Sequence, residues 1–197
     1  MQKRRSTSGE RHEADGERSI MSIVVVYKSL SGFTEKYARW IADELQAECT
    51  DIGSFEPGMV NEDTIIVFGG SLHAVGINGY KTLRKKLNNT EFRELVLFAV
   101  GASTAKPGIE DEIREANLRT EEEKNIRLFY MRGGFDYTKL GIWNRFLMTL
   151  LKWKIKSRKE EERTADEKGM LASFDKPLDA TKRENINEIV DYVRSME

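Results

Sequence analysis

The chain has 197 residues, 39% apolar and 33% charged, with a formal net charge of −1. That is enough apolar material for one buried core carrying at most a sizeable insertion, and the charge balance gives no overall pull toward nucleic acid. The single cysteine, Cys49, excludes an internal disulfide framework and any multi-cysteine metal or iron–sulfur site, and reads as a small buried residue in a reducing compartment.

Residues 1–20 are polar and charge-mixed, without the apolar core of a secretory signal, and read as a disordered leader before a domain spanning 21–197. No stretch reaches the roughly 18 to 20 apolar residues that span a bilayer, so the expected location is the cytoplasm. The first structural signal is Ile23-Val24-Val25-Val26-Tyr27, a β-branched run suited to a strand buried on both faces. It leads into a hydroxyl-rich turn, Ser29-Leu30-Ser31-Gly32-Phe33-Thr34. From there a helix is expected to Gln46, with Tyr37, Trp40, Ile41 and Leu45 on its apolar stripe and Trp40 in the core. Cys49 to Ile52 suits a short strand, and Gly53 to Met59 a loop.

Thr64 to Phe68 is another doubly buried run, closed by a turn at Gly69-Gly70-Ser71. Tyr80 to Leu87 has helical spacing, and Glu94 to Val100 repeats the buried-strand pattern before Gly101-Ala102-Ser103-Thr104. Pro107 marks the start of a short charged helix over Ile109 to Leu118, and Ile126 to Met131 is a fifth strand ending at Gly133-Gly134. The last helix, Thr181 to Arg194, turns Ile186, Ile189, Val190 and Val193 inward. Strands alternating with helices predict an α/β fold: a three-layer sandwich around a five-stranded parallel sheet in the order 2-1-3-4-5. In such a sheet, ligands bind at the carboxyl ends of the strands, where the loops of small residues gather.

The turn at Ser29 to Thr34 suits a phosphate. A helix N-terminus offers free N–H groups and the positive end of its dipole, Gly32 allows close backbone approach, and Ser29, Ser31 and Thr34 each carry a hydroxyl. The plain alternative is that Ser31 or Thr34 merely caps its own helix. Other phosphate chemistries lack their signatures: there is no G-x-x-x-x-G-K-[ST], no G-x-G-x-x-G after the first strand, and no acidic group at that strand's end to hold magnesium.

Ser29-x-Ser31-Gly32-Phe33-Thr34 after a first strand resembles the flavodoxin phosphate loop, which wraps the phosphate of flavin mononucleotide (FMN). The segment Val25 to Ala42 is more similar to a flavodoxin subgroup related to the menaquinone-dependent protoporphyrinogen oxidases. So is Gly133-Gly134-Phe135-Asp136-Tyr137 running on to Trp143-Asn144-Arg145-Phe146-Leu147-Met148, which matches the insertion those enzymes carry after their fifth strand. The resemblance implies a flavodoxin-like fold with a helical insertion at about 135–168, and FMN as the redox cofactor. It implies a phosphate site at Ser29, Leu30, Ser31, Gly32, Phe33 and Thr34, and a ring site near Gly70, Ser71, Leu72 and His73. Backbone groups of Gly101, Ala102 and Ser103 would meet the pyrimidine edge. No protein nucleophile and no metal are implied.

The insertion also reads without a family. Between Tyr137 and Lys159 there are seven basic residues and no acidic ones, interleaved with apolar and aromatic side chains. Lys139, Trp143, Arg145, Phe146, Lys152, Trp153 and Lys154 would face an acidic redox partner protein or, through a peripheral contact of the 137–159 helix, the inner face of an anionic membrane carrying a quinone. The opposing expectation is that Trp143, Phe146, Leu147 and Leu150 pack on the sheet as core. Two functions follow: an FMN electron carrier, or an enzyme of the protoporphyrinogen oxidase type.

Overall fold

The structure, a computed structural model, describes residues 21–120, 123, 125–139, 142–174 and 177–196. The leader expected at residues 1–20 lies outside the described residues. In Ser22–Lys28 (β1) successive side chains enter opposite cores, Val24 and Val26 one, Val25 and Tyr27 the other. A central parallel strand has no solvent face, which is why the run is apolar without alternation. Glu48–Asp51 (β2) and Thr64–His73 (β3) flank β1 in parallel, with Gly76–Ile77 (β4) folded back antiparallel on the end of β3. Glu94–Gly101 (β5) pairs with β3, and Arg127–Arg132 (β6) with β5, both parallel. With the two-residue β4 set aside, the order β2-β1-β3-β5-β6 is the 2-1-3-4-5 expected from the sequence.

The helices among the described residues are Phe33–Leu45 (α1), Tyr80–Lys86 (α2), Ile109–Asn117 (α3), Ile142–Lys156 (α4), Ala165–Ser173 (α5) and Asn187–Arg194 (α6). One core joins the sheet to α1 and α6 through Tyr37, Ile41, Ile189 and Val193; the other joins it to α2 and α3 through Leu83 and Ile113. The expected final helix is split, a 3₁₀ turn at Arg183–Ile186 preceding α6.

The turn expected at Gly69-Gly70-Ser71 is absent. β3 runs on to His73 and reverses through Ala74, whose φ is 53°, so that Leu72 faces Ile77 and His73 faces Gly76. These residues are small because the strand is crowded, not because the chain turns. A Cβ on Gly69 would strike the Phe98 ring, and one on Gly70 would strike Ile77 and the Asn78 carbonyl.

The insertion leaves and rejoins the sheet through a two-stranded neck. Gly134–Phe135 (β7) pairs antiparallel with Leu178–Asp179 (β8), and the Ala180 N–H donates to the Gly133 carbonyl at 2.9 Å. The expected limit near residue 168 falls inside α5. Within the lobe, Phe174 meets Phe135 at 5.6 Å and Tyr137 at 5.2 Å between ring centres, and the Tyr137 hydroxyl lies 2.8 Å from that of Thr149 on α4. This aromatic knot holds α4 against the base of the insertion. Packing of α4 as sheet core is overturned for Phe146, Leu147 and Leu150, which are 56%, 54% and 48% exposed. Ile155, 3% exposed, is the one buried side chain of α4 among the described residues. The Trp143 and Lys139 side chains lie outside the described residues.

Candidate functional site

β1, β3 and β5 all end on the same edge of the sheet, and the loops beyond them leave a cleft of about 200 Å³. Its floor is the turn into α1. Gly32 takes the left-handed conformation (φ 90°), which turns the chain sharply from strand to helix, and no side chain caps α1. The capping alternative for Ser31 or Thr34 therefore fails. Instead Ser29 Oγ accepts the Gly32 N–H at 2.9 Å and braces the turn from within. Thr34 is 1% exposed and lines the cleft, and its Oγ1 has no hydrogen-bond partner among the described residues. A buried hydroxyl left without a partner costs about 1–3 kcal/mol, which is recovered only when something in the cleft bonds to it.

Of the residues expected at the site, Leu30, Ser31, Phe33, Thr34, Ser71, Leu72, His73, Gly101 and Ala102 line this cleft. Ser29, Gly32, Gly70 and Ser103 stand behind or beside it. Gly70 is walled off by Ile77 and Asn78, and the Ser103 carbonyl accepts the Tyr130 hydroxyl at 2.6 Å. Burial pushes the Tyr130 phenol above its ordinary range, with Arg132 pulling the other way, so it stays a neutral donor to that loop. Asn78 secures the opposite loop, its backbone N–H on the Ser71 carbonyl at 3.0 Å and its amide on Ser71 Oγ at 3.2 Å.

Sequence reasoning missed part of the wall. Phe135, Asp136, Leu147 and Met148 complete the cleft from the insertion, so the lobe is one side of the site. Asp136 is 8% exposed, and its Oδ1 accepts both the N–H and the hydroxyl of Thr138 at 2.9 and 2.6 Å. Its signal was available in Gly133-Gly134-Phe135-Asp136-Tyr137, where a carboxylate follows directly on a strand end. The basic residues take other places. Arg145 donates to the Tyr137 and Thr138 carbonyls at 3.3 and 3.0 Å and lies over the Tyr137 ring; Lys152 lies over Phe174, 4.7 Å from the ring centre; Lys154 is exposed.

A second polar cluster sits at the opposite, amino-terminal ends of β5 and β6. Glu123 accepts the Tyr80 hydroxyl at 2.9 Å and the backbone N–H groups of Arg119 and Thr120, and pairs with Arg84 at 3.3 Å. Both its oxygens are engaged, which suits a structural brace.

The lobe is pinned to α1 by Lys36 and Asp179, 2.8 Å apart. Partial burial pushes the Asp179 carboxyl up, but hydrogen bonds from Lys36 and Thr181 outweigh it and hold the pKa down at about 2, below the ordinary 3.8. A depressed carboxylate pKa stabilises the fold above its unfolded value and loses that contribution as pH falls through its folded value. The stability difference between wild type and Asp179→Asn should therefore be full at neutral pH and shrink between pH 3.8 and about 2. Urea unfolding across that range checks this, and a pH-independent difference would refute it.

No curated protein matches the chain. Among solved structures it is similar to a flavodoxin from the domain Archaea, with 17% identity over 56% of this chain and 85% of that one, at a TM-score of 0.37. It is also similar to a flavoprotein in complex with FMN from Lactobacillus acidophilus (16% identity, 57% of this chain, 93% of that one, TM-score 0.40) and to a Trp repressor binding protein from Bacillus subtilis (15%, 57%, 85%, TM-score 0.41). The family model described as a flavodoxin domain matches residues 24–162, which takes in the turn at Gly32, the sheet edge around the cleft and α4. With that match over more than half its length, the chain belongs to the flavodoxin domain family.

Proposed function

We propose that the protein binds FMN in this cleft and transfers electrons through it. The observation that carries the reading is Thr34 Oγ1, buried and without a partner among the described residues, beside a helix N-terminus that no side chain caps, where a phosphate would be bonded and neutralised. Bound FMN supplies the redox chemistry, and the chain supplies position and surroundings. Ser31, Thr34 and the first turn of α1 would hold the phosphate, while Leu72 and His73 and the Gly101-Ala102 backbone would flank the ring. Phe135, Leu147 and Met148 would keep water from one side of it. Cytoplasmic placement belongs to the same reading.

A second reading is oxidation of a protoporphyrinogen coupled to a membrane quinone. It is favoured by the lobe, whose helix α4 lines the cleft with Leu147 and Met148 and also carries the exposed Lys154, a charge that would attract carboxylates. One preparation tests both. Purified protein titrated with FMN should show saturable binding and a shifted flavin spectrum; absence of both refutes the cofactor reading. The FMN-loaded protein is then given protoporphyrinogen and a quinone. Oxidation above background supports the enzyme, and none leaves the carrier.

A further inference from the structure

Phe146, Leu147, Leu150 and Trp153 follow one another along α4 at helical spacing and form a single apolar face. They are 56%, 54%, 48% and 71% exposed, an unusual density of bare apolar surface for one 15-residue helix. The helix belongs to a stretch, Tyr137 to Lys159, that has seven positive charges and no negative one, and Lys154 and Lys156 are exposed on it. Acidic groups begin after the helix, at Glu160–Glu162, and Glu167 is paired with Arg158 at 2.9 Å.

We infer that α4 docks in the plane of an anionic lipid surface. The charge sign matches anionic headgroups, and apolar side chains with tryptophan on one face and lysines flanking them are what an interfacial helix presents. Two alternatives fit less well. A second copy of the chain would bring two basic faces together, and lysine is depleted where proteins meet proteins. No helix among the described residues is long and apolar enough to cross a membrane, so α4 lies on the surface and does not span it. Leu147 is in both the exposed face and the cleft wall, so docking sets the mouth of the cleft against lipid. That consequence rests on the FMN reading; the docking itself stands on α4 alone.

The test uses the full chain, with and without FMN, sedimented with vesicles of equal parts phosphatidylglycerol and phosphatidylcholine, or of phosphatidylcholine only. The expected result is pelleting with the anionic vesicles, weakened by salt and by omission of phosphatidylglycerol. Phe146→Ser with Trp153→Ser, two side chains outside the cleft, should lower the partition coefficient at least about tenfold while leaving circular dichroism and FMN titration unchanged. Equal binding to both vesicles, no binding to either, partition that survives the double substitution, or self-association through this face overturns the inference. Because partition is read on the flavin-free protein as well, failure to bind FMN leaves its outcome readable.

Discussion

Thr34→Val should make the flavin-free protein more stable and its FMN affinity worse. The replacement keeps the shape of the side chain and deletes a hydroxyl that is buried and bonded to nothing among the described residues. Removing an unsatisfied buried group relieves its desolvation cost, so unfolding in urea should move up by about 1–2 kcal/mol. A hydrogen bond to a charged phosphate contributes about 1.5–3 kcal/mol, so FMN should bind roughly 10- to 100-fold more weakly, read by quenching of flavin fluorescence. The opposite signs separate a ligand contact from a structural one. Lower stability with unchanged affinity would show that the hydroxyl works for the fold and not for the cofactor.

Tyr37→Phe should be the costliest single-atom deletion in the α1 layer. Tyr37 is fully buried, and its hydroxyl joins three segments: it donates to the Arg132 carbonyl at 2.7 Å and accepts from the Asn185 side chain at 2.8 Å and the Lys182 N–H at 3.2 Å. The Phe ring would keep the edge contact with Trp40, 5.6 Å between centres, but would leave three polar groups without their shared partner at a partly buried site. The loss should be about 2–4 kcal/mol, a fall in melting temperature of roughly 5–15 °C for a chain of this size. Because Arg132 and Lys182 flank the neck strands β7 and β8, amide exchange at Gly134 and Asp179 should quicken along with the global loss. A change under about 0.5 kcal/mol would mean that water replaces the hydroxyl.

Four of the five parallel strands, β1, β3, β5 and β6, were legible because each is a short apolar run whose side chains enter both cores, and the composition of such a run depends on nothing distant; the edge strand Glu48–Asp51 is not such a run. The α1 turn was legible for a similar reason: Ser29 through Thr34 puts hydroxyls and a glycine where a strand becomes a helix, and Gly32 is in the conformation glycine allows most readily. The β3–β4 reversal was misread because glycines serve both turns and crowded strands. Only the position of Phe98 on the neighbouring strand distinguishes the two. The division of labour among the serines and the threonine was equally hidden. Ser29 spends its oxygen on Gly32, whereas Thr34 keeps its hydroxyl for the cleft, and no spacing rule separates them.

The role of α4 shows the same limit. Its composition announced a basic, apolar helix, but apolar residues at helical spacing describe a buried face and a bare one alike. Which it is depends on where the neck strands Gly134–Phe135 and Leu178–Asp179 hold the lobe, and their pairing joins residues far apart in the chain. By itself, then, the sequence determined the alternation of strands and helices, the turn that suits a phosphate, and the acid-free basic stretch, since each is a local pattern enforced by backbone geometry and charge. Tertiary structure alone decided that Phe135, Asp136, Leu147 and Met148 wall the cleft, that Thr34 Oγ1 has no partner among the described residues, and that Phe146 and Trp153 face outward. These are properties of neighbours brought together by packing, which no local pattern contains.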